Sequence, residues 1–273
     1  MTDENQVVEA SVRSNVKKNR IVVGDKVDIE PNDYSQGKYI ITKLLPRNSY
    51  ILRPTIANLD ILLMVIAPKP QPDLYLIDKL YIHCVLNNIE PVLVINKADI
   101  ADDDFVKDIQ DQYYFIKTFV TSAKNKSNIA ELSDYISNKL CALSGQSAVG
   151  KSSILNALMP HLDLSTQDLS RKIERGKHTT RVNEIFVDDN LMIADTPGFT
   201  SLELDLKYDE LSDYYPEFGI DETCRYLDCS HIKEGRDCAI IASVDSGKIN
   251  VNRYSRYVEL YNKLKEKWEK MYD

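Results

Sequence analysis

Eight residues constrain this chain more than any others: Gly145-Gln-Ser-Ala-Val-Gly-Lys-Ser152. They fit G-x-x-x-x-G-K-[ST], a pattern whose glycines let backbone N–H groups turn inward around phosphate oxygens. The flanks agree with it. Leu140–Leu143 is apolar and strand-sized, and the run from Ser153 to Leu158 holds good helix formers. A strand, a glycine loop and a helix in that order aim the positive helix end at the same anion. Lys151 suits the β and γ phosphates, and the Ser152 hydroxyl suits Mg²⁺. The competing reading is a chance glycine turn, against which the two flanks weigh. The residues read as lining a nucleotide here are Gly145, Gln146, Ser147, Ala148, Val149, Gly150, Lys151, Ser152 and Ser153.

The rest of the chain supplies a frame for that loop. From Leu59 onward buried-strand runs alternate with helical periodicity: Ile61–Ile66, then 73–88, then Pro91–Ile95, 102–112, 115–120 and 129–138. Alternation of this kind predicts an open, mostly parallel α/β sheet. A hairpin is predicted around Asp188-Asp-Asn190. Residues 1 to 50 read differently, as short β-rich runs without helices, which suggests a small OB-fold-like barrel, short for five strands. Tyr254–Tyr272 reads as a charged helix with Tyr257, Leu260, Tyr261, Leu264 and Trp268 on one stripe, expected to pack into the core.

Three further motifs match the phosphate loop. Asn96-Lys97-Ala98-Asp99 follows a buried strand, and a carboxylate there accepts the N1–H and 2-amino hydrogens of guanine. Adenine offers no such pair, so a buried Asp99 would reject it. Asn96 is expected to tie this loop to the phosphate loop, with the Lys97 stem against the base. Ser122-Ala123-Lys124, one strand–helix unit later, is placed to offer a backbone N–H to the guanine oxygen. Asp195-Thr-Pro-Gly198 follows a strand and fits Asp-x-x-Gly, whose Asp holds a Mg²⁺ water and whose Gly N–H meets the γ-phosphate. The loop Gly176-Lys-His-Thr-Thr180 precedes it. Thr179 and Thr180 are both candidates for completing the Mg²⁺ shell beside Ser152 and Asp195, with Thr180 favoured. Phe199 stands where many GTPases place a water-orienting glutamine. Slow intrinsic hydrolysis is therefore expected, with His178 either an assistant or a plain loop histidine.

Two features set the order and the tail apart. Ordinary GTPases run from phosphate loop to Asp-x-x-Gly to Asn-Lys-x-Asp to Ser-Ala-Lys; here the last two come first. The same sheet can be built if the chain is cut and rejoined. Cys224-x₄-Cys229-x-His231-x₆-Cys238 offers three thiolates and one imidazole, a closed tetrahedral set for one structural Zn²⁺. Cys84 and Cys141 sit in apolar runs and read as packing residues.

Composition excludes several classes. The net charge of −8 rules out a uniformly nucleic-acid-binding surface. No apolar run reaches the length of a bilayer span, and the N-terminus lacks the pattern of a signal peptide. A cytoplasmic chain without membrane contact is expected. RNA contact is predicted from the basic stretches Arg13–Lys26, Arg171–Arg181 and Lys248–Arg256, and should then weaken steeply with salt.

Taken together, the permuted motif order, Asn96-Lys-Ala-Asp99, the Gly145–Ser153 loop, Gly176-Lys-His-Thr-Thr180, Asp195-Thr-Pro-Gly-Phe199 and the Cys-Cys-His-Cys cluster resemble the RsgA family of ribosome small-subunit-dependent GTPases. The likeness runs from about Val22 to Tyr257. It implies an α/β fold in three parts. These are an N-terminal OB-fold-like β-barrel over 1–50, a central circularly permuted P-loop GTPase over 51–203 and a C-terminal zinc-binding helical part over 204–273. It implies a monomeric GTP hydrolase with Mg²⁺ and Zn²⁺. Its partners would be GTP, GDP, the small ribosomal subunit and that subunit's rRNA; it would assist late maturation and be stimulated by the particle. The histidine matching His178 is proposed in that family to assist hydrolysis. Ala148 stands where the family usually has glycine, and is expected to fit with a negative φ. The alternative from another class is an RNA-binding module that uses GTP and GDP only as a binding switch.

Overall fold

A computed structural model describes residues 6–13, 20–32, 38–52, 54–162, 184–195, 203–220, 224–232 and 237–272 of the chain. In chain order the strands are β1 (Ala10–Val12), β2 (Val27–Pro31), β3 (Tyr39–Leu44), β4 (Tyr50–Leu52), β5 (Thr55–Ala57) and β6 (Ile61–Ile66). Helix α1 (Leu74–Leu86), β7 (Glu90–Ile95), α2 (Asp103–Gln112), β8 (Lys117–Val120), α3 (Ile129–Ile136), β9 (Leu140–Ser144) and α4 (Lys151–Leu158) follow. Beyond them lie β10 (Glu184–Asp188), β11 (Leu191–Asp195), α5 (Ala239–Asp245) and α6 (Val251–Tyr272).

Six strands form the central sheet in the order β10-β11-β9-β6-β7-β8. All pair in parallel except the β10–β11 hairpin. The central strands are apolar on both faces because helices cover both sides; all six residues of Ile61–Ile66 are buried. Two apolar clusters result, one on each face. Counted from β9, the spatial order becomes 2-3-1-4-5-6. Strands 2 and 3 lie on one side of strand 1 and strands 4 to 6 on the other. Connections leaving such a strand diverge, and the crevice between them at the carboxyl ends is where an open α/β sheet takes its ligand. The glycine loop leaves β9 at that crevice.

Helix starts follow their caps. Asp73 accepts the Leu76 N–H at 2.9 Å ahead of α1, and Asp102 accepts the Phe105 N–H at 2.7 Å ahead of α2. Four of the five residues of the predicted stripe on the last helix, Tyr257, Leu260, Tyr261 and Leu264, are buried against the cluster that also holds α1, while Trp268 stays half-buried outside it.

Five short strands precede the main sheet, as the composition suggested, but their pairing is not that of one closed barrel among the described residues. β1, β3 and β2 form a three-stranded sheet, and β4–β5 is a separate hairpin. Asp25 organises the junction. Its carboxylate accepts two N–H groups of Arg47, at 2.7 and 2.9 Å, and the Val22 N–H at 2.8 Å.

One basic stretch changes its meaning. The predicted RNA-facing run Lys248–Arg256 contains Arg253 and Arg256, whose side chains point inward. Arg253, with 2% of its side chain exposed, pairs with Asp78 and, at 2.6 Å, with Glu217. Arg256 pairs with the same Asp78 at 2.7 Å. These guanidinium groups join α6 to α1, because a buried charge is stable only when paired. Burial works against both cations, and the Asp78 and Glu217 charges more than offset it, holding Arg253 well above its ordinary value.

Candidate functional site

The phosphate loop requires its glycines. Gly145 has φ +141°, and a Cβ there would lie 2.2 Å from the Val65 carbonyl oxygen. Gly150 has φ +97°, and a Cβ there would lie 2.3 Å from Asn96 Nδ2. The loop therefore sits against β6 and the Asn96 loop with no room for side chains at those positions. Ala148 departs from expectation. Its φ is +64°, in the left-handed region and not negative, since the loop must curl there to keep its N–H groups inward.

Lys151 opens α4, and its ammonium donates to the carbonyls of Gly145 at 2.8 Å and Gln146 at 2.7 Å. Burial pulls its pKa below the ordinary lysine value. Ser152 and Ser153 follow in the first turn, with Val149 buried beneath the loop. Ser147 and Ala148 lie exposed at its tip.

The Asn96 loop meets this loop as the motif requires. Asn96 is buried at the end of β7; its Nδ2 donates to the Val149 carbonyl at 2.9 Å, and its Oδ1 accepts the Ala123 N–H at 3.2 Å. One amide thus fastens three loops. Lys97 takes a left-handed φ of +62°, and its ammonium donates to the Ala148 carbonyl at 2.7 Å. Ala98 begins a short 3₁₀ turn that carries Asp99.

Asp99 sits at the open rim of the crevice, not in its interior, although its side chain is only 14% exposed. Ser122 Oγ donates to Asp99 Oδ1 at 2.7 Å, and Lys124 Nζ lies 3.6 Å from Oδ2. The Ser122 hydrogen bond, with the Lys124 charge behind it, holds the Asp99 carboxyl below its ordinary value. The hydroxyl of Ser122 is thus a functional group that reading the motif for its backbone N–H missed. Asp195 ends β11, and β11 lies beside β9 in the sheet. Asp195 therefore ends the strand beside the one from which the loop carrying Ser152 leaves. The Asp195 side chain, Gly198, Phe199, His178, Thr179, Thr180 and the stretch Arg171–Arg181 lie outside the described residues.

Behind α6 lies a second constellation. The donor atoms of Cys224, Cys229, His231 and Cys238 all fall within 4.8 Å of one another. Cys224 and Cys238 sulfurs are 3.8 Å apart, and each is 3.5 Å from His231 Nδ1. A tetrahedron with metal–sulfur bonds of about 2.3 Å has sulfur–sulfur edges of about 3.8 Å, which the Cys224–Cys238 pair matches, so this donor set fits zinc. Burial pushes the Cys238 thiol up to about 11 and lowers the His231 imidazole. Burial also opposes ionisation of Cys224, but the N–H groups of Ala239 and Ile240 and the Cys238 thiol favour its thiolate and bring it below an ordinary cysteine. Helix α6 holds the cluster's loop: Tyr254 Oη donates to the His231 carbonyl at 2.6 Å and Tyr257 Oη to the Ser230 carbonyl at 2.8 Å. Cys84 and Cys141 are buried among apolar side chains, which raises both thiols, Cys141 to about 12.

Known proteins share this arrangement. Residues 44–205 match the family model described as RsgA GTPase. A curated relative from Caldanaerobacter subterraneus subsp. tengcongensis, named small ribosomal subunit biogenesis GTPase RsgA, is 37% identical over 98% of this chain and 92% of its own length. A relative of the same name from Thermotoga maritima is 37% identical over 90% of this chain and 84% of its own. Among solved structures, YjeQ from Thermotoga maritima superposes with a TM-score of 0.79 at 33% identity, covering 93% of this chain and 89% of that one. YloQ, described as a circularly permuted GTPase, gives 0.76 at 27% identity over 97% and 89%.

Proposed function

The chain belongs to the RsgA GTPase family, and from that premise we propose that it hydrolyses GTP while assisting late maturation of the small ribosomal subunit, with the subunit stimulating hydrolysis. The names of its relatives support this reading. So does the convergence of the Asn96, Ser122 and Gly145 loops at one crevice, and the observation that carries most is the single Asn96 amide bonded to both of the other loops.

Each residue then has a task. Asp99, kept ionised by Ser122 and Lys124, accepts both hydrogens from guanine, a pair that adenine does not offer. Lys97 packs its stem along the base. The inward N–H groups of 145–150 cradle the phosphates, and Lys151 exchanges its two loop carbonyls for phosphate oxygens. The residues fit Mg²⁺, since a hydroxyl from the head of α4 and a carboxylate from the end of β11 make a hard oxygen set. Ser152, Asp195 and Thr180 would hold it, and it would neutralise charge between the β and γ phosphates. Gly198 offers its N–H to the γ-phosphate, and His178 assists the attacking water in place of the glutamine that Phe199 replaces.

Cys224, Cys229, His231 and Cys238 would hold one zinc ion whose role is structural, because four protein donors leave no open position. We divide the chain into an N-terminal β part over 1–50, the permuted GTPase over 51–203 and the zinc-binding helical part over 204–273. It works in the cytoplasm as a monomer on the subunit's rRNA. No helix among the described residues is long and apolar enough to cross a membrane.

Displacement of a fluorescent GDP analogue tests the site. GDP and GTP should compete at least about 100-fold better than ATP, and Lys151→Ala should abolish tight binding. Equal competition by ATP would remove the guanine reading.

A further inference from the structure

Gln146 is the first variable position of the phosphate loop, and nothing in the loop's chemistry calls for a long amide there. Its side chain nevertheless has both ends engaged, and by backbone more than seventy residues away. Nε2 donates to the Gln71 carbonyl at 2.8 Å, and Oε1 accepts the Asp73 N–H at 2.5 Å. A second tie runs alongside: the Lys97 ammonium that holds the Ala148 carbonyl also donates to the Lys69 carbonyl at 2.8 Å. The segment 69–73 is therefore held to the phosphate-loop side of the crevice by two side chains through three hydrogen bonds.

That segment is stiff, and it leads to a fixed point. Pro68, Pro70 and Pro72 restrict its backbone. Asp73 caps α1 through the Leu76 N–H. Five residues further on, Asp78 is fully buried and carries the ion pairs with Arg253 and Arg256 of α6, together with a hydrogen bond from the Tyr113 hydroxyl. Glu217 holds Arg253 from the other side. Nowhere along this route is there a gap: phosphate loop, Gln146 amide, head of α1, Asp78, α6.

We propose that Gln146 is a positioning residue which fastens the phosphate loop to the head of α1, so that the buried ion pairs between α1 and α6 set how well the loop is shaped for nucleotide. The physical reason lies in Lys151. Its ammonium rests on the carbonyls of Gly145 and Gln146, so the backbone that the Gln146 side chain anchors is the same backbone that orients the lysine. Loosening α6 from α1 lets the head of α1 shift, and the Gln146 amide carries that shift into the loop. Without the amide only the weaker coupling through the Lys97 ammonium, between the Lys69 and Ala148 carbonyls, is left. The inference rests on the phosphate loop binding nucleotide, as proposed above.

A double-mutant cycle in the full-length chain tests it, read as affinity for fluorescent GDP beside the melting temperature of each protein. Gln146→Met keeps the length of the side chain and removes both bonds; it should weaken GDP binding about fivefold. Arg256→Lys loosens the Asp78 pairing and should weaken binding about twofold to threefold. The double variant should bind GDP more tightly than the product of the two single losses, because most of the Arg256 effect passes through the amide that is already gone. Glu217→Gln, which loosens Arg253 instead, should repeat the pattern. A role in stability alone would lower melting temperatures and leave GDP affinity intact, which would overturn the proposal. Losses that multiply in the double variants would overturn it too, as would wild-type affinity in Gln146→Met. Failure of the wild-type chain to bind GDP at all would instead remove the reading of the site, and this inference with it.

Discussion

Ser122 Oγ, 2.7 Å from Asp99 Oδ1, bears on the guanine contact proposed for that carboxylate. The hydrogen bond favours the carboxylate, so the Asp99 pKa in the folded chain is depressed. The sign follows from linkage: the ionised form that reads guanine is present above the ordinary aspartate value and is lost only as pH falls through the depressed one. Ser122→Ala should move the acid limb of GDP binding upward toward about pH 3.9, measured as affinity against pH; an unmoved limb would show that the hydroxyl does not set the ionisation. The same neighbourhood marks where motifs are informative. The role of Asn96 was legible because the motif carries its geometry with it. The left-handed φ of Ala148 was not, because alanine as a residue type gives no signal for a positive φ. The partners of Gln146 were hidden for another reason: they are backbone groups, and every residue has those.

Among the elements, α1 and α6 illustrate the limits of periodicity. Both helices were legible from apolar spacing, and the stripe on α6 packs as expected up to Leu264. Their polar partnership was not, although Asp78 lying between Ile77 and Leu80 on an apolar face was a visible signal that a buried cation must come from elsewhere. Arg253 and Arg256 were read as surface charge because a basic run gives no information about which way its residues point. Asp78→Ala takes the shared carboxylate from two guanidinium groups, leaving Arg253 with Glu217 alone and Arg256 with no ion pair, and should cost about 3–5 kcal/mol by urea denaturation. A loss below about 1 kcal/mol would place the pairs in the class of surface ion pairs. The N-terminal strands mark a further limit. Their existence followed from β-branched composition, but their partition into a three-stranded sheet and a hairpin depends on long-range pairing that composition does not specify.

For the whole molecule, cutting and rejoining the chain has a structural consequence. The new C-terminal part begins just beyond the Asp-x-x-Gly strand, and its last helix returns across α1 and holds the loop of the cysteine–histidine cluster through Tyr254 and Tyr257. The cluster's own contribution can be measured: the purified chain should carry about one zinc ion, and chelation should lower its melting temperature, more readily at lower pH where thiols and imidazole compete for protons. A chelator that leaves the melting curve unchanged would deny the metal a structural role.

The most direct test of the central claim is the rate of GTP turnover with and without added small ribosomal subunits, with Lys151→Ala measured beside the wild type. Slow turnover alone, at least about tenfold stimulation by the subunit and no stimulated turnover in Lys151→Ala are the expected results. A wild-type rate that the subunit leaves unchanged, or one that survives loss of Lys151, would contradict the account.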